Sequence, residues 1–361
     1  MKEANDSELK EIKELSMSAI KFGVFDHVER RGNSIEGLFA GRFELLREYD
    51  AAGFYGYHVA EHHATPLGMA PSPGLYLAAA AQCTKRIHLG PLVYLLPLYN
   101  PMRLVSEICM LDHISDGRLE LGVGRGVSPF ELAYYGISFM DAREKFEEAL
   151  DVVVKGLRNE RLSHRGPHYR FDNVPMELQP QQRPNPPIWY GISSQESLMF
   201  AAKHGMQMVG GGPIPVLKEL TAAHRVELAK HKGKPEDLNP HITDPTVGAI
   251  RHCYVADDER EVEQIAKPAY KQFYDNLTKL WRDFRTLPDY GFTPDLAIAR
   301  KFDVAIVGTA EQVRDDVGRF FEQSGCNYAV LSFAWGGLSQ DDSRRSLDRF
   351  VTKVMPQFVK S

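Results

Sequence analysis

The chain lacks most of the features that would place it outside the ordinary globular class. Its 361 residues include only four cysteines, Cys83, Cys109, Cys253 and Cys326, none close to another. That spacing argues against a disulfide scaffold or a cysteine-based metal centre, and all four read as reduced core or helix thiols. His27, His88 and His252 stand at no recognisable metal-ligand spacing, so no metal is expected. No apolar run approaches the roughly 20 residues needed to cross a bilayer. The first residues, MKEANDSELKEIKELS, are charged and carry no apolar signal core, so a cytoplasmic location is expected. Forty-three basic and 48 acidic residues give a net charge of −5 with no long block of one sign, which argues against nucleic acid as a partner. No repeat of solenoid or propeller period is present. A Rossmann glycine fingerprint is also missing after the first strand, where Phe25-Asp26-His27 stands instead.

What is present is apolar material for a large core, 43% of residues, arranged as short β-rich runs alternating with helical-period segments. Strands are expected at Lys21–Phe25, Gly56–Ala60, Ile87–Leu96, Arg118–Val123, Ile188–Gly191, Gln207–Gly210, Arg251–Ala256 and Tyr328–Phe333, with helices between them. Gly53 suits the end of the helix Leu38–Ala52, and Pro101 the first turn of another. The pattern predicts a (β/α)₈ TIM barrel with insertion loops, formed as one domain over residues 1–361. Residues 1–19 form an N-terminal extension, and residues 158–187 and 276–303 are irregular insertions, centred on Arg161–Pro187 and Asp283–Asp303. Phe284, Tyr290 and Phe292 in the second insertion suit a lid.

In such a barrel the reacting groups belong at the C-terminal strand ends. Strand two ends in Glu61-His62-His63. Adjacent strand residues point to opposite faces, so one histidine is expected at the mouth and the other packed away from it. Strand four ends in Gly122-Val123-Gly124-Arg125-Gly126, where glycines permit close backbone approach and Arg125 offers a planar fork of donors to an anion. Strand five runs through Gly191-Ile192-Ser193-Ser194 straight into a helix, and hydroxyls with free N–H groups at a helix N-terminus suit phosphate. Two cradles at neighbouring strand ends could hold one phosphate between them.

These residues, with Pro97, Asn100-Pro101-Met102-Arg103, Leu111-Asp112-His113-Ile114-Ser115-Asp116-Gly117-Arg118, Gln181–Gly191 (QQRPNPPIWYG) and Val307-Gly308-Thr309 followed by Glu311, resemble the bacterial-luciferase-like flavin monooxygenases in the same order from about residue 20 to 340. The resemblance implies that His62 is the active-site histidine beside the flavin ring, a group titrating near neutrality that takes or gives a proton as the flavin reacts with oxygen. It implies phosphate contacts at Arg125, Gly126 and Ser194, with Ser193 standing where some relatives carry an acidic residue. It places Leu92 and Val93 where the family often has a cis peptide under the isoalloxazine. Asn100 departs from relatives that carry histidine there and cannot change charge at neutral pH. The implied cofactor is FMN, reduced by an NAD(P)H-dependent flavin reductase, with dioxygen as cosubstrate, a small organic substrate, and a homodimeric assembly. Some members of the family use a deazaflavin for hydride transfer, and some barrel subunits of this type only support an active partner.

Overall fold

The computed structural model describes residues 19–30, 32, 34–286 and 293–359. Nearly all of the expected N-terminal extension, and Tyr290 and Phe292 of the expected lid, lie outside the described residues.

The strands are β1 (Lys21–Asp26), β2 (Gly56–Val59), β3 (His88–Pro91), β4 (Tyr94–Leu95), β5 (Leu121–Gly124), β6 (Arg161–Arg165), β7 (Arg170–Pro175), β8 (Ile188–Gly191), β9 (Gln207–Gly210), β10 (Val247–Ala256), β11 (Ala305–Thr309) and β12 (Tyr328–Ser332). Apart from β6, β7 and β11, they pair in the order β3-β2-β1-β12-β10-β9-β8-β5-β4, every pair parallel. Because β3 and β4 are the two halves of one interrupted strand, this path returns on itself and the sheet closes as the expected (β/α)₈ barrel. β11 pairs with the far half of β10, from His252↔Ala305 to Ala256↔Thr309.

Local chemistry explains the element boundaries that hold. The helix α1 (Ile35–Ala52) begins where the Ser34 hydroxyl accepts from Gly37 N and ends at Gly53, whose φ of 83° is the left-handed geometry glycine adopts freely. Then come α2 (Pro73–Cys83) and α3 (Pro101–Ile114), the latter capped by Asn100 with proline in its first turn. They are followed by α4 (Pro129–Tyr134), α5 (Ala142–Arg158), α6 (Gln195–Lys203) and α7 (Ile214–His231). Inside the barrel, Phe25, Leu92, Trp189, Val209, Tyr328 and Val330 form the filling. The carboxylate of Glu120 lies deep among them and accepts from Tyr55 Oη at 2.6 Å and from Trp189 Nε1. A larger apolar shell lies between strands and helices, as expected for parallel strands buried on both faces.

Several expectations need correction. Residues 161–175 are not irregular: β6 and β7 form an antiparallel hairpin. Most of its residues are partly or fully exposed, so no apolar alternation marks it, and only the turn at Gly166-Pro167 hints at it. The second insertion contains the helices Lys279–Asp283 and Leu296–Lys301. A ninth strand, β11, was not expected. Strand seven begins at Val247 rather than Arg251, and strand three is split at Leu92-Val93.

Candidate active site at the mouth of the barrel

The site is built on the break in strand three. The Leu92–Val93 peptide is cis, and the chain there lies against β5. A Cβ at Gly122 would run into the Pro91 carbonyl oxygen, and one at Gly124 into the Val93 side chain, so glycines on β5 give the broken strand its room. The second half of the strand is held by Glu61. Its Oε2 accepts from Leu95 N at 2.9 Å, while Oε1 accepts from Tyr99 Oη at 3.0 Å and meets His63 Nε2 at 2.9 Å. His63 thus turns to Glu61, and its Nδ1 meets the Tyr135 hydroxyl at 2.8 Å.

His62 turns the other way. Its Nδ1 lies 3.2 Å from Oε1 of Glu131, whose Oε2 accepts from His63 N at 2.8 Å. One carboxylate from α4 therefore fixes both the imidazole and the backbone that carries it. Burial alone would lower the pKa of His62, but the charge and hydrogen bond of Glu131, with Glu61 and Glu29 behind, raise it above the usual histidine value. Burial pushes Glu131 upward, yet His62 outweighs this and holds the carboxyl below its usual range. The two shifts agree, and both favour an imidazolium–carboxylate pair over the neutral imidazole that an ordinary histidine pKa would give.

The structure brings two more histidines to this side of the mouth. The ring of His27 is 5.6 Å from that of His62 and 5.8 Å from Phe273, and the ring of His252 is 4.1 Å from Phe273. Burial, then the neighbouring His62 and His252, push the pKa of His27 well down. Burial, then Arg251, pushes His252 to about 3. Both shifts favour the neutral imidazole, and His27 Nδ1 and His252 Nε2 are buried without a hydrogen-bond partner among the described residues. Among the described residues no group of His, Cys, Asp or Glu side chains is placed to hold a metal ion.

At the neighbouring strand ends, β5 pairs with β8 through Val123↔Tyr190, so Arg125 and the Ser193-Ser194 turn follow adjacent strands. Arg125 has no carboxylate partner among the described residues, and its guanidinium lies 4.9 Å from the centroid of the Phe139 ring. Gly126, at φ 91°, turns the chain after it. Ser194 caps α6: its hydroxyl accepts from Ser197 N at 3.2 Å, while Ser197 Oγ takes Ser193 N at 3.1 Å and Ser194 N at 3.0 Å. Arg143 stands near as well, paired with Glu147 and Glu196, and with Arg125 it moderates a rise in the Tyr190 pKa that burial causes. A guanidinium without an ion pair, with serine hydroxyls and helix N–H groups past the end of the adjacent strand, is a donor set of the kind that fits a phosphate monoester. For the turn N–H groups to reach one, Ser197 must give up its present bonds. Asn100 takes no part in this constellation: its side-chain oxygen caps α3 through Met102 N and Arg103 N.

Sequence reasoning named His62, Leu92, Val93, Arg125, Gly126, Ser193 and Ser194, and the fold places them past the ends of β2, β5 and β8 and in the break between β3 and β4. It missed Glu131, Ser197 and the His27–His252 side. The spacing Ser128-Pro129-Phe130-Glu131 was the available signal for Glu131, a helix-start pattern that places an acid in the first turn.

Comparison with known proteins agrees with this architecture. Residues 20–328 match the family model described as luciferase-like monooxygenase. The oxygenase component of the flavin-dependent trigonelline monooxygenase of Acinetobacter baylyi is 30% identical over 95% of this chain and 96% of its own length. Monooxygenase RslO1 from Streptomyces bottropensis superposes with a TM-score of 0.83 at 25% identity, covering 94% of this chain and all of that one. The oxygenating constituent of 3,6-diketocamphane monooxygenase from Pseudomonas putida, solved in complex with FMN, superposes at 0.75 with 22% identity, over 95% of this chain and 99% of that one. The chain belongs to the luciferase-like monooxygenase family.

Proposed function

We propose that this protein is the oxygenase half of a two-component system, one domain that receives FMN already reduced by an NAD(P)H-dependent flavin reductase and uses dioxygen to oxygenate a small organic molecule. The observation that carries the reading is the His62–Glu131 pair beside the strand break, on the same rim as the unpaired Arg125. The named trigonelline monooxygenase relative, an oxygenase component, supports the two-component arrangement, and the FMN-bound neighbour supports the choice of flavin.

In this reading Arg125, Gly126, Ser193 and Ser194 hold the phosphate, and the Leu92–Val93 segment backs the ring system. When bound, the reduced flavin supplies the two electrons with which dioxygen is activated. His62 holds a proton at Nε2 and passes it to developing negative charge, while Glu131 keeps the other ring nitrogen protonated and the ring fixed. Leu277, Leu280 and Trp281 cover this part of the mouth with apolar surface and exclude water. Among the described residues no helix is long and apolar enough to cross a membrane. A cytoplasmic homodimer completes the proposal.

The test is an anaerobic titration of the protein with photoreduced FMN, followed by admission of oxygen and a search for protein-dependent slowing of flavin reoxidation. Tight binding and altered reoxidation are expected. Failure to bind reduced FMN, combined with tight binding of a deazaflavin, would overturn the reading.

A further inference from the structure

The barrel floor, at the end opposite the mouth, is filled with rings that give up electrons readily. Tyr328 opens β12, Tyr55 precedes β2, His88 opens β3 and Glu120 precedes β5, so all four stand at N-terminal strand ends. Glycine makes the room: a Cβ at Gly23 would overlap the Tyr328 hydroxyl, and one at Gly56 would press on it at 3.0 Å. The Tyr328 phenol lies across the floor, its ring centroid 5.6 Å from that of Trp189 and 5.6 Å from that of Tyr55. Trp189 shares the barrel filling with Leu92 at the strand break. Tyr55 is half-buried and stacks at 4.7 Å on His88, whose side chain is 36% exposed. Three oxidisable rings thus run as neighbours from the strand break to solvent at the far face.

Each ring also has a place to leave a proton. Tyr55 donates to Glu120 Oε1 at 2.6 Å, and Trp189 Nε1 donates to Glu120 Oε2. Tyr328 Oη meets His58 Nε2 at 2.9 Å. Burial pushes the pKa of His58 down to about 3, which favours the neutral imidazole, while burial, then Glu120, raises the pKa of Tyr55 and Tyr328 and keeps both as phenols. Trp335, equally buried, donates instead to the Cys253 carbonyl, which is no base. For stability alone, apolar filling serves as well as a buried carboxylate with its donors, so the floor carries chemistry that packing does not ask for.

We propose that Trp189, Tyr328 and Tyr55 form a relay that carries oxidising equivalents from the mouth to solvent at the opposite face, sparing the site when oxygen chemistry misses its substrate. The proposal rests on the functional reading for the source of the oxidant, an oxygen-centred radical formed at the mouth. That radical takes one electron from Trp189 and one proton from solvent, and the oxidised indole leaves its Nε1 proton on Glu120. Tyr328 then gives Trp189 an electron, its own proton crosses to His58 Nε2, and Glu120 returns the indole proton. Tyr55 gives Tyr328 an electron in turn, its proton passes to Glu120, and His58 returns the proton it held. A soluble reductant of the ascorbate or thiol class gives Tyr55 the last electron while Glu120 returns the proton, and the proton that this reductant loses balances the one taken up at the mouth. An oxidised phenol is a far stronger acid than the phenol, so even a base weakened by burial, as His58 is, accepts its proton.

The test loads the full chain with oxidised FMN, or with a deazaflavin if FMN does not bind, and creates a one-electron oxidant at the mouth with a light flash. Transient absorption and EPR of rapidly frozen samples distinguish indolyl from phenoxyl radicals, and neither measurement needs turnover. Wild type should give a phenoxyl radical that ascorbate removes. In Tyr328→Phe the phenoxyl signal should be lost and an indolyl radical left at Trp189. In Tyr55→Phe, a change at a half-buried position that the fold tolerates more easily, the phenoxyl should still form but resist ascorbate. No protein radical in wild type, a phenoxyl signal unchanged in Tyr328→Phe, or equal ascorbate sensitivity in wild type and Tyr55→Phe overturns the relay, and bound FMN then leaves the flavin reading standing. The expected radicals with bound deazaflavin, in a protein that binds no FMN, refute the flavin reading alone, and failure to bind either cofactor overturns both.

Discussion

Replacing Arg125 with alanine separates a ligand contact from a structural one. The guanidinium makes no ion pair among the described residues, and its visible protein contact is the Phe139 ring at 4.9 Å. A cation–π contact at such a site contributes roughly 0.5–1 kcal/mol, so the substitution should cost the folded state no more than about that. If Arg125 instead serves a phosphate, alanine removes charge-assisted hydrogen bonds that contribute roughly 1.5–3 kcal/mol, which converts to about 10- to 150-fold in the dissociation constant. The loss must depend on the phosphate. Riboflavin carries the same ring system without it, and its affinity should stay within about 2-fold of wild type, a difference near the noise of such free energies. Anaerobic titrations of wild type and Arg125→Ala with reduced FMN and reduced riboflavin give the four constants, and a urea unfolding curve gives the stability change. If both flavins weaken by the same factor, or if unfolding shifts by several kcal/mol, Arg125 is a structural residue and the phosphate cradle lies elsewhere.

Three other substitutions test neighbouring steps. Glu131→Gln keeps the shape of the side chain but removes the charge that outweighs burial at His62, so the His62 pKa, read by NMR titration of its ring, should fall. Because the folded-state pKa of His62 is raised, its contribution to stability is full below the unfolded histidine pKa and is lost as pH rises through the folded value; that of Glu131, whose pKa is depressed, is present above the unfolded glutamate pKa and lost as pH falls through the folded one. The variant should therefore lose most stability between those limits, and an unchanged His62 titration would show that the pair is not coupled. Gly122→Ala pushes a methyl into the Pro91 carbonyl at the strand break and should destabilise by about 1–3 kcal/mol in denaturant unfolding; a neutral outcome would mean that the break tolerates displacement. Asn100→Ala removes the α3 cap and should cost about 1 kcal/mol of stability with flavin affinity unchanged, whereas a selective loss of flavin affinity would return Asn100 to the site.

The parts of the site that could be read in the sequence are those whose chemistry is local. Glu61, His62 and His63 are consecutive, and a strand end followed by Ser193-Ser194 and a helix needs only short-range rules. Arg125 between glycines is likewise a local signal. The partners that tune these groups arrive by closure of the barrel. Glu131 is 69 residues from His62, and His252 reaches the His27 side only because β1, β12 and β10 are adjacent in the ring. The hairpin β6–β7 escaped for a different reason: Leu162 is its one buried residue, and with Phe171 and Val174 it sets no readable period, whereas β12, buried along its whole length, stands out.

The stretch Ser128-Pro129-Phe130-Glu131 shows where local reading stops. Its pattern is that of a reciprocal helix cap, in which the glutamate carboxylate returns to the serine N–H. Half of that cap forms, since the Ser128 hydroxyl accepts from Glu131 N at 3.3 Å. The carboxylate goes instead to His62 Nδ1 and His63 N, across the mouth of the barrel. The same short signal therefore starts a six-residue helix and frees an acid to raise the pKa of the histidine past the end of β2. The helix start follows from neighbours in the chain, but the rise of the His62 pKa depends on β2 and α4 meeting at one rim, which only the closed barrel brings about.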